Sequence, residues 1–308
     1  MRDRTKYRRT TRWAALAGAM IMATAGLAAV QLAAAAPATA VPGLNRAVGA
    51  SLIDSASGKS ATAFCQPGER VVGGGGRVQS VGAYSARIAL TQLLPVHSNT
   101  GTALDRFIVS GAETSPGTNS SWRVLAFALC APASQQLSGY NIVESPPTLQ
   151  SSQPRHATSV SCPGAQVALG TGGRIINPGG EVALQVARAS IDGRLARVQA
   201  HEEADGYSGS WSVVAYAVCV DRPPGYEIVT GLSDQEASES IKFAEVSCPD
   251  GKQVHGVGAA VTDVAPGHVS LREINTLDDI DRVKAFAQEH TPTSQNWDFI
   301  VVRAVCAY

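Results

Sequence analysis

One segment occurs three times along this 308-residue chain, each time opening on one cysteine and closing on another. Aligned on the first cysteine, the openings read CQPGERVVGGGGRV from Cys65, CPGAQVALGTGGRI from Cys162 and CPDGKQVHGVGAAV from Cys248, without a gap. The closings read WRVLAFALC to Cys130, WSVVAYAVC to Cys219 and WDFIVVRAVC to Cys306, the last longer by one residue. A repeat of about eighty residues means one supersecondary unit used three times, and stacked copies of such a unit share a core.

The apolar pattern inside the repeat has period two. It marks strands at Ile88, Val182 and Val269, at Arg106, Leu195 and Arg282, and through each closing block. The second and third copies begin on a further strand, Gly139-Tyr140 and Gly225-Tyr226 followed by alternating residues. The first copy lacks that opening strand, and residues 44–54 are degenerate, as expected of a terminal repeat that caps an array. The extra residue of the third closing block predicts a β-bulge near residues 299–301. Both faces of WSVVAYAVC are apolar, which places each last strand inside the assembly.

Glycines stand eight and ten residues beyond each first cysteine, at 73 and 75, 170 and 172, 256 and 258. Glycine inside a strand is costly unless another backbone or a large ring must come close. The repeated Trp122, Trp211 and Trp297 supply such a ring, so the expectation is a tryptophan over each Gly-x-Gly strand. Three copies of one design also predict three equivalent disulfides, Cys65–Cys130, Cys162–Cys219 and Cys248–Cys306, with bonds between copies as the alternative. Each would close a loop of about sixty residues and contribute about 4 kcal/mol in the chain-entropy account.

With 44% hydrophobic residues and 16% charge the chain can bury a real core. Its first forty residues read as a secretory signal peptide: six basic residues from Arg2 to Arg12, an uncharged stretch over 13–36, and an Ala38-Thr39-Ala40 cleavage site. A retained signal anchor is the competing reading, and it is the one route by which a membrane would be involved. Without the leader the totals of 25 basic and 25 acidic residues fall by six and one, leaving a net charge near −5. A mildly acidic chain without a basic stripe does not suit nucleic acid. An even number of cysteines behind a leader points to an oxidising, extracellular destination.

These readings converge on an all-β fold. Residues 41–60 form an N-terminal extension, and repeats at 61–130, 139–220 and 225–308 form a pseudo-threefold, β-prism-like body of antiparallel sheets; three small tandem β-sandwich units are the alternative. The Cys-Pro-x-Gly, Gly-x-Gly, Trp and Tyr-Ala-Val-Cys pattern resembles a class of triple-repeat proteins secreted by actinobacteria, mostly of unassigned activity. The Cys-Pro-x-Gly start and threefold plan are also loosely similar to the vitelline membrane outer layer protein, a β-prism whose relatives bind carbohydrate. Here the cysteines are spaced further apart than in that family.

Chemistry is sparse. A carboxylate recurs before each tryptophan, at Glu113, at Glu202 or Glu203, and at Glu289. It reads either as an exposed strand-end residue or as three equivalent rims that bind a polyhydroxylated or cationic ligand multivalently. Tyr140 and Tyr226, beside glycine and expected to be partly exposed, are the better glycan platform, whereas the tryptophans read as core. Asp105, Asp192, Asp281 and the acidic run at 278–281 read as turn formers rather than calcium ligands. His201-Glu202-Glu203 falls short of a zinc motif, no nucleophile elbow occurs, and no metal or other cofactor is implied. The expectation is a non-enzymatic secreted binding or surface-structural protein with a glycan or cell-wall polymer as partner, against a secreted hydrolase whose site the sequence does not show.

Overall fold

The computed structural model describes residues 43–308 except 82–86, 99–102, 135–136, 234–238, 263–266, 295–296 and 298–299. The leader lies outside the described residues. The first repeat supplies β1 (Asn45–Ala50), β2 (Gly58–Phe64), β3 (Glu69–Ser80), β4 (Ile88–Val96), β5 (Arg106–Glu113) and β6 (Trp122–Pro132). The second supplies β7 (Asn141–Glu144), β8 (Arg155–Ser161), β9 (Val167–Ile176), β10 (Val182–Ala189), β11 (Leu195–Glu202) and β12 (Ser212–Val220). The third supplies β13 (Glu227–Leu232), β14 (Ile241–Ser247), β15 (Gln253–Val261), β16 (Val269–Thr276), β17 (Arg282–Glu289) and β18 (Ile300–Ala307).

Each repeat folds as two three-stranded halves stacked face to face. In the first, β1-β6-β3 lies over β2-β5-β4, and the glycines of β3 show how closely: a Cβ on Gly74 would come within 2.5 Å of the Phe107 ring, and one on Gly76 within 2.3 Å of Val109. Trp122, Val124, Ala126, Ala128 and Cys130 line one layer of this sandwich; Ala61, Ala63, Phe107 and Val109 line the other. The three disulfides are Cys65–Cys130, Cys162–Cys219 and Cys248–Cys306. They join one layer to the other, since Cys65 follows β2 and Cys130 lies in β6, and do not tie adjacent strands of a sheet.

The sandwiches are then fused edge to edge. β3 pairs with β16, β9 with β4 and β15 with β10, all antiparallel. Three six-stranded sheets result, each half from one repeat and half from another: sheet I is β1-β6-β3-β16-β17-β14, sheet II is β2-β5-β4-β9-β12-β7 and sheet III is β13-β18-β15-β10-β11-β8. Prism and sandwich readings of the sequence therefore describe one object at two scales. No repeat completes a sheet alone, and nearly all buried apolar side chains of the three copies join one cluster.

The glycines meet at the pseudo-threefold axis. A Cβ on Gly73 would lie 2.3 Å from the His255 carbonyl oxygen, one on Gly170 2.5 Å from that of Val72, and one on Gly256 1.7 Å from that of Leu169. Real Cβ atoms do not approach so near, so these positions demand glycine because of a neighbouring repeat's backbone. The expectation of a tryptophan over this strand is overturned; the ring packs inside its own sandwich instead. Each Gly-x-Gly strand also bulges just before the glycine, at Val72, Leu169 and His255.

Two further expectations need correction. The first copy does have an opening strand: β1 pairs with β6 as β7 does with β12, so residues 45–50, read as an extension, belong to the repeat. The bulge expected near 299–301 is absent from Ile300 and Val301, which pair with β15 in regular register; Phe299 is outside the described residues.

Candidate functional site

The recurring carboxylates are structural partners of the tryptophans. Trp122, Trp211 and Trp297 are fully buried, and a buried indole N–H needs an acceptor. Each donates from Nε1 to the Oε1 of the glutamate ending the preceding strand: Glu113 at 3.1 Å, Glu202 at 2.7 Å and Glu289 at 3.1 Å. Against each ring packs a basic side chain from the first strand of the opposite layer: Lys59 over the Trp122 ring at 5.1 Å, His156 perpendicular to Trp211 with centroids 4.3 Å apart, and Lys242 over the Trp297 ring at 4.6 Å. Glu202 and Glu289 are buried and Glu113 is half-buried, so neither an exposed strand end nor a ligand rim describes them. Lys59, His156 and Lys242 went unnoticed in the sequence because their neighbours differ, although each occupies the same place in its repeat.

Tyr140 and Tyr226 are half-buried and likewise committed. Tyr140 donates its hydroxyl to the carbonyl of Val71 at 2.9 Å, and Tyr226 to that of Ala168 at 2.9 Å. Each fastens the start of one repeat to the Gly-x-Gly strand of the previous one. Burial raises both phenols well beyond their ordinary range, with help from the Asp105 carboxylate at Tyr140, which removes any ionisable role. The equivalent residue of the first repeat is Leu44, which has no hydroxyl to donate.

Glu203 belongs to a different group. It follows Glu202 as Thr114 follows Glu113 and His290 follows Glu289, and all three successors are buried. Its Oε1 lies 3.5 Å from His290 Nδ1, long for a hydrogen bond. Burial pushes the Glu203 carboxyl up to about 7, with help from Glu181 and Asp205. Burial also pushes His290 down to about 4. Carboxylate oxygens of Glu181, Glu203 and Asp205 lie within 4.8 Å of one another, the arrangement among the described residues closest to a cation ligand set. Cys65 and Cys130 are disulfide-bonded and cannot serve as ligands beside Glu69.

The open surface lies on the outer faces of the sheets, where equivalent positions differ in chemistry. One cross-strand row on sheet I reads Phe243, Phe286, Glu273, Arg77, Leu125. Its counterpart on sheet II reads Ser60, Ser110, Gln92, Arg174, Val214, and on sheet III Ala157, Gln199, Val186, Ala260, Val301. Sheet I carries two grooves, of about 290 and 620 Å³, that share Arg77, Glu273 and Lys284. Arg77 Nε stands 3.4 Å from Glu273 Oε2, Lys284 lies 5.3 Å over the Phe243 ring, and Arg46 lies 4.9 Å over Phe127. Phe243 is 60% exposed. An aromatic face flanked by charged, planar hydrogen-bonding groups suits a ligand with both apolar and polar surfaces. Sequence reasoning missed this site because its residues come from the first and third repeats and have no common spacing.

No known protein-family model matches this chain, and no curated protein matches it significantly. Three disulfides in a chain without free cysteines are the state of an oxidising compartment. Among the described residues no helix is long and apolar enough to cross a membrane.

Proposed function

We propose that the protein is a secreted, non-enzymatic binding or surface-structural protein whose partner is a carbohydrate or cell-wall polymer, held along the outer face of sheet I. The observation that carries this reading is the Phe243–Phe286–Glu273–Arg77 row, in which stacking faces and charged hydrogen-bonding groups share one groove. A sugar ring offers C–H faces to an aromatic side chain and hydroxyls to guanidinium and carboxylate groups. The loose similarity to the vitelline membrane outer layer protein, a β-prism whose relatives bind carbohydrate, is in keeping with that ligand class. The recurring glutamates and tyrosines act here through the fold: they hold the tryptophans and the repeat junctions.

The test is a glycan array and a cell-wall retention assay on the mature protein, with a glycosidase substrate panel alongside. Wild type is expected to bind without turnover. Phe243→Ala with Lys284→Ala, both outward-facing, is expected to lower affinity by about tenfold or more while leaving the melting temperature in place. Turnover of any panel substrate, or binding of uncharged glycans untouched by the double substitution, overturns the reading.

A further inference from the structure

The same outer row that holds Lys284, Asn275 and Phe127 on sheet I holds Arg197, Arg188 and Arg303 on sheet III. Arg188 and Arg197 are directly opposed across β10 and β11. Arg303 is opposed to Gly258 in β15, and a Cβ on Gly258 would lie 2.7 Å from Arg188 Cα. That glycine brings the three guanidinium-bearing backbones into one line. Like charges placed directly across a sheet destabilise it. Among the described residues none of the three arginines forms an ion pair.

The cluster is preorganised as well as concentrated. Arg303 is 8% exposed and donates from a terminal guanidinium nitrogen to the carbonyl of Ala189. Burial and the charges of Arg303 and Arg197 bring Arg188 down to about 10, so it still carries its charge at neutral pH. The three line a groove of about 520 Å³ together with Ile191, Asp192 and Leu195. Asp192 is the acidic member, and its carboxylate is taken up by Ser190 Oγ and the backbone N–H of Arg194 in the hairpin turn. Ile191 is 73% exposed at the rim, an apolar surface next to the cations.

We infer that this groove is an anion-binding site for an acidic polysaccharide, whose carboxylate or sulfate groups are held by Arg188, Arg197 and Arg303 while a ring lies against Ile191. Guanidinium matches either oxyanion through two parallel N–H···O bonds. The site is on a different sheet from the sheet I groove, so the two proposals succeed or fail separately.

The experiment measures retention of the mature protein on polygalacturonate, dextran sulfate and neutral dextran at low and high salt. Binding to either charged polymer, none to neutral dextran, and release by salt are expected. Preference between the two identifies the anion. Arg188→Gln with Arg197→Gln should reduce that binding about tenfold or more, since each charge-assisted bond removed costs about that factor. Both side chains are at least partly exposed, so the variant is expected to melt as wild type does; if it does not, Arg197→Glu, at the most exposed of the three, serves instead. Equal retention on neutral dextran, no retention on either charged polymer, or binding unchanged by the substitutions overturns the inference. Phe243→Ala with Lys284→Ala must leave this binding intact, and its loss there also overturns it.

Discussion

Along the pseudo-threefold axis the three repeats are interchangeable, whereas on the outer sheet faces they have little in common. Gly73, Gly170 and Gly256 each abut a carbonyl of a neighbouring repeat, and the geometry leaves no alternative residue. A few strands outward, the same structural position holds Phe243, Ser60 and Ala157, all exposed. Backbone against backbone fixes the residue; side chain against solvent frees it. Sameness in this molecule marks assembly, and difference marks the places where a copy has taken on a role of its own.

The strongest way to break that contrast is at the axis. Gly256→Ala would put a Cβ 1.7 Å from the Leu169 carbonyl oxygen, and the strands cannot part without opening a junction between repeats. The expected cost is above about 4 kcal/mol, with loss of cooperative folding, read by thermal or urea unfolding. Gly58→Ala meets nothing within 4 Å and should stay within about 0.5 kcal/mol of wild type. Similar stabilities for the two would remove the axis from its governing place.

A middle-sized effect is expected where repeats agree through side chains. Glu202→Ala strands the Trp211 indole N–H and also frees the Tyr207 N–H, at about 2–3 kcal/mol, and Glu202→Gln, which keeps an acceptor, should recover most of it. Should Glu202→Ala melt normally yet bind glycan poorly, the carboxylate would be a ligand contact after all.

The smallest effect sharpens the comparison at its one exception on the axis. His255 fills the bulge position that Val72 and Leu169 fill elsewhere, and its Nε2 has no hydrogen-bond partner among the described residues. Burial brings it from its ordinary 6.5 down to about 4. Its folded value lies below its unfolded one, so its contribution to stability is full above about 6.5 and is lost as pH falls towards 4. His255→Leu is expected to stabilise by about 1–2 kcal/mol at neutral pH and to flatten the loss on acidification, followed by melting from neutral to acidic pH. Unchanged acid sensitivity would assign the loss to His201 and His290, which burial brings down to about 4 in the same way.

The repeat, its strands and its cysteine partners were legible because each recurs at fixed offsets: Cys65, Cys162 and Cys248 align, and so do Trp122, Trp211 and Trp297. The opening strand of the first copy was missed because Leu44 replaces the tyrosine that marks the other two, though its backbone pairs in the same way. The glycines were recognised as close-approach positions, but the approaching group was misjudged. A sequence shows that a Cβ is missing without showing what stands in its place. The glutamates were found as a pattern and misread as exposed, because the indole each one accepts from lies eight or nine residues further along the chain.

What the amino-acid order settled alone was periodic: an all-β chain in three copies, with a sulfur bridge inside each copy. Local alternation and spacing carry that information, and neither depends on which copy touches which. Tertiary structure decided that every sheet is shared by two repeats, that the axis is lined by backbone, and that Phe243 and Arg77, or Arg188 and Arg303, face one groove. Those neighbours come from different copies far apart in the chain, and only the edge-to-edge pairing of β3 with β16 and of β15 with β10 brings them together.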